Sequence, residues 1–189
     1  PFLDIAYQGF GDGLDEDGQV IKKFADSGMH FLTANSFSKS FSLYGERVGG
    51  LSIMTANENQ KNIVGSHLKK IARATYSNPP THGSKLVSTV LSSQELFSAW
   101  KTELAEMRNR IKLMRELICV EIKKIKPEAN FNHVIQQRGM FSYTGLSKEQ
   151  VIKLREKHSV YAIETGRICV AALNSKNLAR AASAIAEVL

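Results

Sequence analysis

The stretch Ala34-Asn35-Ser36-Phe37-Ser38-Lys39-Ser40-Phe41 places one lysine between two phenylalanines and among three serines. Burial disfavours the ammonium form, so a lysine in such surroundings can lose its proton and attack a carbonyl carbon. The neighbouring hydroxyls can donate hydrogen bonds to a phosphate. Eight residues further on, Arg47 can supply the charge-assisted fork that a phosphate dianion favours. Taken alone, the pattern also fits a lysine flanked by serines in a surface loop.

An aspartate and a tyrosine lie on the first apolar segment, Phe2-Leu3-Asp4-Ile5-Ala6-Tyr7. We interpret this segment as a buried strand, and α/β sheets place ligand-binding groups at the carboxyl ends of such strands. A buried carboxylate such as Asp4 needs a cationic or hydrogen-bonding partner, and a protonated ring nitrogen would be one. Tyr7 can hydrogen-bond a phenolic ring oxygen. A capping aspartate and a core tyrosine are the alternative interpretation.

Hydrophobic periodicity predicts an α/β segment followed by an α+β segment. Glycine and aspartate predict a loop at residues 9–18, and Ser93 resembles the N-cap of a helix from about 94 to 126. A capping box is predicted at Ser147-Lys148-Glu149-Gln150. A helix as long as the one predicted at 94–126 is unusual in a globular domain, and such helices often bridge domains. The remaining predicted strands are 2–7, 30–38, 47–55, 139–145, 160–163 and 167–172, and the remaining helices are 19–27, 56–74, 82–91, 147–158 and 175–189.

The composition excludes several classes of protein. No apolar run approaches the roughly 20 residues of a membrane helix, and the five histidines show no metal-ligand spacing. Residues 1–107 carry 10 basic and 11 acidic side chains, whereas residues 108–189 carry 15 and 7. A basic half raises the possibility of nucleic acid binding, but no aromatic RNA-binding signature accompanies it. We interpret its cations as a solvated helix surface: Arg108, Arg110, Lys112, Arg115, Lys123, Lys124 and Lys126.

The two cysteines, Cys119 and Cys169, lie fifty positions apart in apolar surroundings. They match neither a metal-binding spacing nor a CxxC motif. We interpret both as buried, reduced thiols of a cytoplasmic protein, with a disulfide as the alternative.

Five strings occur in order along the chain and together resemble the class I aminotransferases of the aspartate and aromatic group. They are DIAYQGFGDGL (4–14), SFSKSFSLYGERVGG (36–50), RATYSNPPTHG (73–83), QRGMFSYTGLS (137–147) and GRICVAALN (166–174). The resemblance implies fold type I, with residues 1–107 as the carboxy-terminal part of a large cofactor domain and 108–189 as the small domain. It also implies that the chain is the carboxy-terminal half of a longer enzyme, inactive by itself.

The resemblance assigns a role to each matching residue. Lys39 resembles the lysine that binds pyridoxal 5'-phosphate covalently and moves the substrate's α-proton. Asp4 matches the partner of the pyridine nitrogen, and Tyr7 the partner of the ring oxygen. Phosphate ligands are matched by Ser36, Ser38 and Arg47, and substrate-binding residues by Arg167, Arg73 and Phe141. In this resemblance Arg167 binds the α-carboxylate, and Arg73 reaches into the site of the partner subunit of a homodimer.

The expected reaction exchanges an amino group between an aromatic amino acid, tyrosine or phenylalanine, and 2-oxoglutarate, with ping-pong kinetics. Aspartate aminotransferase is the alternative, because Arg73 can bind a side-chain carboxylate. Two hypotheses of other classes remain: a non-catalytic dimerisation fragment, and a nucleic-acid binder that uses the basic half.

Overall fold

The computed structural model describes all residues from Pro1 to Leu189. Its strands are β1 (Phe2–Ile5), β2 (Leu32–Ser36), β3 (Gly49–Ile53), β4 (Phe141–Tyr143) and β5 (Arg167–Cys169). Its helices are α1 (Leu14–Asp26), α2 (Glu58–Tyr76), α3 (His82–Ser92), α4 (Gln94–Ile125), α5 (Asn132–Ile135), α6 (Lys148–His158) and α7 (Leu178–Val188). None of the helices is both long and apolar enough to cross a membrane.

The chain forms two compact units. The first comprises Pro1–Gly9 and Gly13–Leu104, and the second comprises Phe10–Asp12 and Ala105–Leu189. The first unit contains a three-stranded sheet of order β1-β2-β3, in which β1 and β2 are parallel and β3 is antiparallel to β2. The second unit contains the antiparallel pair β4-β5. Each unit also has its own buried apolar residues, including Phe31 and Val87 in the first and Ile118, Ile122 and Leu154 in the second.

The parallel pair determines where the ends of the first two strands lie. Ile5 of β1 is opposite Asn35 of β2, so both strands end at the same edge of the sheet. At that edge β3 approaches closely, because a Cβ atom on Gly49 would lie 2.6 Å from the carbonyl oxygen of Asn35. A glycine is therefore required at this position for β3 to pair next to the segment that carries Lys39.

The long helix and the capping box are confirmed. Helix α4 runs without interruption from Gln94 to Ile125. At the start of α6 the Ser147 hydroxyl accepts a hydrogen bond from the Gln150 N–H, and the Gln150 side chain accepts one from the Ser147 N–H. Reciprocal bonds of this kind satisfy two of the N–H groups that a helix start leaves unpaired.

Three parts of the predicted secondary structure are wrong: the start of the first helix, the strand at 160–163, and the end of the strand predicted over 167–172, where Val170–Ala172 form a short 3-10 helix. Helix α1 begins at Leu14, inside the predicted loop, because Asp15, Glu16 and Asp17 occupy its first turn, where negative charge is favoured by the helix dipole. Residues 160–163 form no strand. The Gly166 N–H donates to the carbonyl oxygen of Ile163, at 2.8 Å, and this turn leads directly into β5.

The two cysteines differ in environment. Cys119 is buried, as predicted, and burial raises the pKa of its thiol to about 11. Cys169 is exposed, which contradicts the prediction, because β5 pairs only with β4 and leaves this side chain at the surface. Both thiols are free, so the disulfide alternative is wrong for this structure.

Candidate active site

The carboxyl edge of β1 and β2 brings Lys39 and Tyr7 together. The Lys39 ammonium lies over the Tyr7 ring, with Nζ 4.7 Å from the ring centroid. Lys39 is half-buried, and 38% of Tyr7 remains exposed. A cation over an aromatic face is attracted by the ring quadrupole, so the pair holds the amine at this edge while leaving one side accessible.

The turn that carries Lys39 comprises residues 37–42, directly after β2. Serine hydroxyl groups lie on either side of the lysine. Ser38 and Ser40 are buried, with 5% and 8% of their surfaces exposed, and Ser36 is half-buried at the end of β2. The Ser36 hydroxyl accepts a hydrogen bond from the Ser38 N–H at 3.3 Å. The predicted phosphate ligands Ser36 and Ser38 therefore lie within one turn of the lysine.

Arg47 lies just before β3. Gly49 pairs with Ser36, and the Phe37 N–H donates to the carbonyl oxygen of Val48, so Arg47 is at the end of β3 that faces the Lys39 turn. Its guanidinium is exposed and donates one hydrogen bond, from Nη1 to the carbonyl oxygen of Tyr44 at 2.9 Å. This leaves further donors on a fork that can bind an anion.

The segment between Lys39 and β3 contains two non-glycine residues in the left-handed region. Ser42 has φ 54° and Arg47 has φ 52°. Such conformations cost about 1–3 kcal/mol each, and they cluster at ligand-binding and catalytic sites. Ser42 lies three residues after the lysine, and Arg47 is itself a predicted phosphate ligand, so both conformations fall within the candidate site.

Asp4 differs from the sequence-based prediction. It lies on β1 opposite Ala34, as expected, but its carboxylate is exposed and not buried. Successive side chains of β1 point to opposite faces of the sheet, and the face that carries Phe2 and Asp4 is not covered by other residues of this chain. An exposed carboxylate at this position remains free to accept a hydrogen bond from a ring nitrogen.

In the second unit, the pair β4-β5 brings Arg167 and Phe141 together. The Arg167 Cζ atom lies 5.0 Å from the centroid of the Phe141 ring. The Arg167 Nε–H is buried and has no hydrogen-bond partner. Because a buried donor without an acceptor is costly, this group is suited to a carboxylate ligand.

Local structure fixes the start of β5. Gly166 adopts φ +80°, and a Cβ atom there would lie 2.7 Å from the carbonyl oxygen of Leu146. Its own carbonyl accepts hydrogen bonds from the Thr144 N–H at 3.0 Å and the Thr144 hydroxyl at 2.8 Å. The backbone N–H and the side-chain hydroxyl of Thr144 therefore both hold the turn before Arg167 to the end of β4.

Arg73, the predicted contact to a partner subunit, lies in the last turn of α2 and is exposed. Its guanidinium donates a hydrogen bond to the Ser77 hydroxyl just beyond the helix. Thus the structure groups Lys39 with Tyr7, Ser36 and Ser38, and Arg167 with Phe141, whereas Arg73 is bound locally. No group of three or more His, Cys, Asp or Glu residues is arranged to hold a metal ion.

The sequence-based interpretation of the basic half as a solvated surface is wrong for Arg115, which is only 3% exposed. Arg110 is exposed and Lys112 is half-exposed, although Lys112 pairs with Asp12 at 2.8 Å and Arg110 donates to two carbonyl groups just after β5. Lys123 and Lys124 are exposed, as predicted. The spacing of Ile111, Ile118 and Ile122 marks the buried face of α4, and it could have shown that position 115 lies on it.

Buried Arg115 supports the strand that carries Phe141. Its Nη2 donates to the carbonyl oxygens of Gly139 at 2.6 Å and Phe141 at 3.4 Å, and its Nε donates to the Ser142 hydroxyl at 3.2 Å. Desolvation, together with the nearby charge of Arg138, lowers the pKa of Arg115. The cation is thus held by neutral acceptors of one short strand.

Replacing Arg115 by methionine is expected to lower the free energy of unfolding by about 2–4 kcal/mol. Each acceptor left without a donor costs about 1–3 kcal/mol, and removal of a desolvated charge offsets part of that cost. Urea denaturation of the protein that contains this chain measures the change. The matched control is Lys123→Met on the exposed side of the same helix, for which we expect a change within about 0.5 kcal/mol. Equal effects of the two substitutions would contradict a supporting role for Arg115.

Comparison with known proteins places these residues in context. The family model of aminotransferase class I and II matches residues 1–185. The chain is 52% identical over its full length to the aspartate aminotransferase of Pseudomonas aeruginosa and 50% identical to the aromatic-amino-acid aminotransferase of Escherichia coli, covering 48% of each. The crystal structure of the aromatic-amino-acid aminotransferase from Burkholderia pseudomallei, covalently bound to pyridoxal phosphate, superposes with a TM-score of 0.98 at 52% identity. The match covers 100% of this chain and 47% of the Burkholderia chain. The chain therefore spans about half the length of the curated relatives it matches.

Proposed function

Because the chain belongs to the class I and II aminotransferases, we propose that it forms the carboxy-terminal half of a pyridoxal-phosphate-dependent transaminase. The reaction exchanges an amino group between an aromatic amino acid, tyrosine or phenylalanine, and 2-oxoglutarate. Residues 1–107 complete the large cofactor domain and residues 108–189 form most of the small domain. The enzyme is a cytoplasmic homodimer, in which Arg73 serves the site of the partner subunit.

The observation that carries the proposal is the position of Lys39. Its amine lies over Tyr7 at the carboxyl edge of a parallel strand pair, in a turn that contains buried serines. Ligands of open α/β sheets bind at this edge. A lysine on a surface loop, the alternative weighed from the sequence, would not be half-buried against an aromatic ring.

The residues present fit pyridoxal phosphate by the chemistry of their side chains. Lys39 supplies an amine, Asp4 an exposed carboxylate for the ring nitrogen, and Tyr7 a hydroxyl for the ring oxygen. Ser36, Ser38 and the exposed fork of Arg47 supply donors for the phosphate. When bound, the cofactor acts as an electron sink that makes the α-proton of an amino acid removable.

The protein's own groups then have distinct tasks. The Lys39 amine, once neutral, accepts the α-proton and returns a proton to the product, as a general base and acid. Arg167 binds the α-carboxylate through a two-pronged, charge-assisted hydrogen bond, and Phe141 forms an apolar wall beside it. Arg73 binds the side-chain carboxylate of 2-oxoglutarate and moves aside for an aromatic ring.

Aspartate aminotransferase remains the second candidate, since relatives of similar identity carry either name. Arg73 favours a dicarboxylic substrate, because its guanidinium is exposed and retains donors beyond the one bonded to Ser77. The ratio of kcat/KM for tyrosine to kcat/KM for aspartate separates the two. A large preference for aspartate would replace the aromatic proposal by this one.

A half-reaction tests the transaminase proposal itself. The cofactor-loaded protein, given tyrosine and no keto acid, is expected to release 4-hydroxyphenylpyruvate in an amount equal to its sites and then stop. Addition of 2-oxoglutarate should restart release and form glutamate. Continued turnover without a keto acid, or no release with either tyrosine or aspartate, would contradict a ping-pong transaminase.

A further inference from the structure

An aromatic cluster in the first unit connects the Lys39 turn to helix α4. Phe41, in the turn, stacks on Trp100 of α4 with ring centroids 4.4 Å apart and an interplanar angle of 20°. Phe37 meets Phe41 edge-on at 5.6 Å, and Phe97 lies 5.7 Å from Trp100. Stacked and edge-on pairs at these distances attract beyond the burial of their area. The lysine therefore lies between two aromatic residues that belong to one packed group.

A hydrogen bond fixes the backbone next to the lysine. The Trp100 Nε1–H donates to the carbonyl oxygen of Ser40, the residue after Lys39, at 2.7 Å. This is a short, well-formed bond across 60 positions of sequence. Trp100 thus contacts the turn twice, once through its donor and once through its ring.

The turn has little regular structure of its own. Phe41 N–H bonds to the carbonyl of Phe37 and Ser42 N–H bonds to that of Lys39, after which Ser42 adopts φ 54° and ends the helical path. Because the helical path ends there, no N–H of a following helical turn is placed to donate to the carbonyl oxygen of Ser40. The indole supplies the hydrogen bond that such a turn would otherwise give.

The turn borders a cavity. The cavity has a volume of about 280 Å³ and is lined by residues of the end of β2, of the turn and of α4, among them Ser36, Phe37, Ser40, Phe41 and Trp100. A turn that borders a cavity is not confined by packing on that side. Among the residues that line this cavity, Trp100 holds the turn through a hydrogen bond to the Ser40 carbonyl and a ring stack on Phe41.

We propose that Trp100 is a positioning residue for Lys39: it fixes the carbonyl of Ser40 and the ring of Phe41, and so holds the lysine amine where the reaction needs it. Trp100 acts through the turn and does not touch the substrate. This inference rests on the proposed function of Lys39. A displacement of a catalytic group by a fraction of an ångström to 1 Å is enough to lower a rate substantially.

The test compares two substitutions on α4 in the protein that contains this chain. Trp100→Phe keeps an aromatic ring against Phe41 and removes the N–H donor, whereas Phe97→Leu perturbs the same cluster without touching the turn's hydrogen bond. We expect Trp100→Phe to lower kcat for tyrosine about 3- to 10-fold, the effect of one lost hydrogen bond, with KM changed less than about twofold. Phe97→Leu should leave kcat within about twofold.

A second readout does not depend on turnover. The protein without cofactor is mixed with pyridoxal phosphate, samples are reduced with borohydride at successive times, and the phosphopyridoxyl label on the Lys39 peptide is measured by mass spectrometry. Labelling of Lys39 should be about 3- to 10-fold slower in Trp100→Phe than in the wild type or in Phe97→Leu.

The outcomes separate the inference from the function it rests on. Failure of the wild type to acquire label on Lys39 would overturn the assignment of that lysine. A labelled wild type with unchanged labelling and kcat in Trp100→Phe would overturn the positioning role alone. Equal losses of kcat and labelling in both variants, with a matching loss of folded protein, would show that the cluster only stabilises the fold and would also overturn that role.

Discussion

Alanine at position 39 is expected to abolish covalent attachment of pyridoxal phosphate and to lower kcat by at least about 10⁴-fold, the upper range for a positioned general acid–base. The Lys39 amine lies over the Tyr7 ring, and Lys39 is the only residue of the turn with a nitrogen atom in its side chain. Its loss removes the proposed covalent anchor and proton carrier, whereas the serine hydroxyls and Arg47 remain as the proposed phosphate ligands. Non-covalent binding of the cofactor should therefore weaken less than catalysis.

Intact mass after borohydride reduction measures this prediction. The wild type should gain a single phosphopyridoxyl group per chain, and Lys39→Ala should gain none. Lys39→Arg keeps a cation that can lie over Tyr7 but cannot form the linkage, so it should behave as the alanine variant does. Lys22→Ala, on exposed α1, is the control and should retain the label. A label that persists in Lys39→Ala would identify another lysine as the attachment site.

The second large effect is expected at Arg167. Replacement by methionine removes the proposed two-pronged bond to the α-carboxylate. Two charge-assisted hydrogen bonds at about 1.5–3 kcal/mol each correspond to a fall of about 10²- to 10⁴-fold in kcat/KM. The wild-type residue is prepared for that ligand, since its Nε–H is buried and unpaired beside Phe141. Arg167→Lys keeps the charge but not the fork, so it should recover only part of the loss.

Specificity constants for tyrosine and for its decarboxylated analogue tyramine distinguish carboxylate binding from a general defect. The loss in Arg167→Met should appear with tyrosine, whereas the low activity with tyramine should change little. Arg155→Met, at an exposed position of α6 in the same unit, is the control and should be close to the wild type. A similar loss with both amines would mean that Arg167 stabilises the unit and does not bind the carboxylate.

Local sequence patterns predicted the elements that depend on local interactions. The capping box at Ser147, the long helix α4 and the strand that leads to Lys39 involve residues close in sequence, and all three are present. The family resemblance, which rested on five strings in register, is confirmed by the family model and the relatives. The roles of individual site residues stay predictions that the experiments above address.

What the sequence could not predict depends on contacts between distant residues. Arg115 looked like one of several surface cations; the helical spacing of its apolar neighbours places it on the buried face of α4, but its hydrogen bonds to residues 139–142 follow only from the packing of distant segments. Asp4 was expected to be buried because its strand is apolar, but burial depends on whether neighbours cover the strand. The bond between Trp100 and Ser40 spans 60 positions and has no local signature at all.

The contrast between the two cysteines gives this chain a built-in reporter position. Cys169 is exposed and pairs across the strands with Phe141, whereas Cys119 is buried with a thiol pKa of about 11 and so is almost entirely protonated at neutral pH. A thiol-directed fluorine or nitroxide probe will therefore attach selectively at Cys169. From there its spectrum reports on the strand pair that carries Phe141 and Arg167, so the proposed binding of a carboxylate at Arg167 can be tested by magnetic resonance without engineering a new cysteine into the chain.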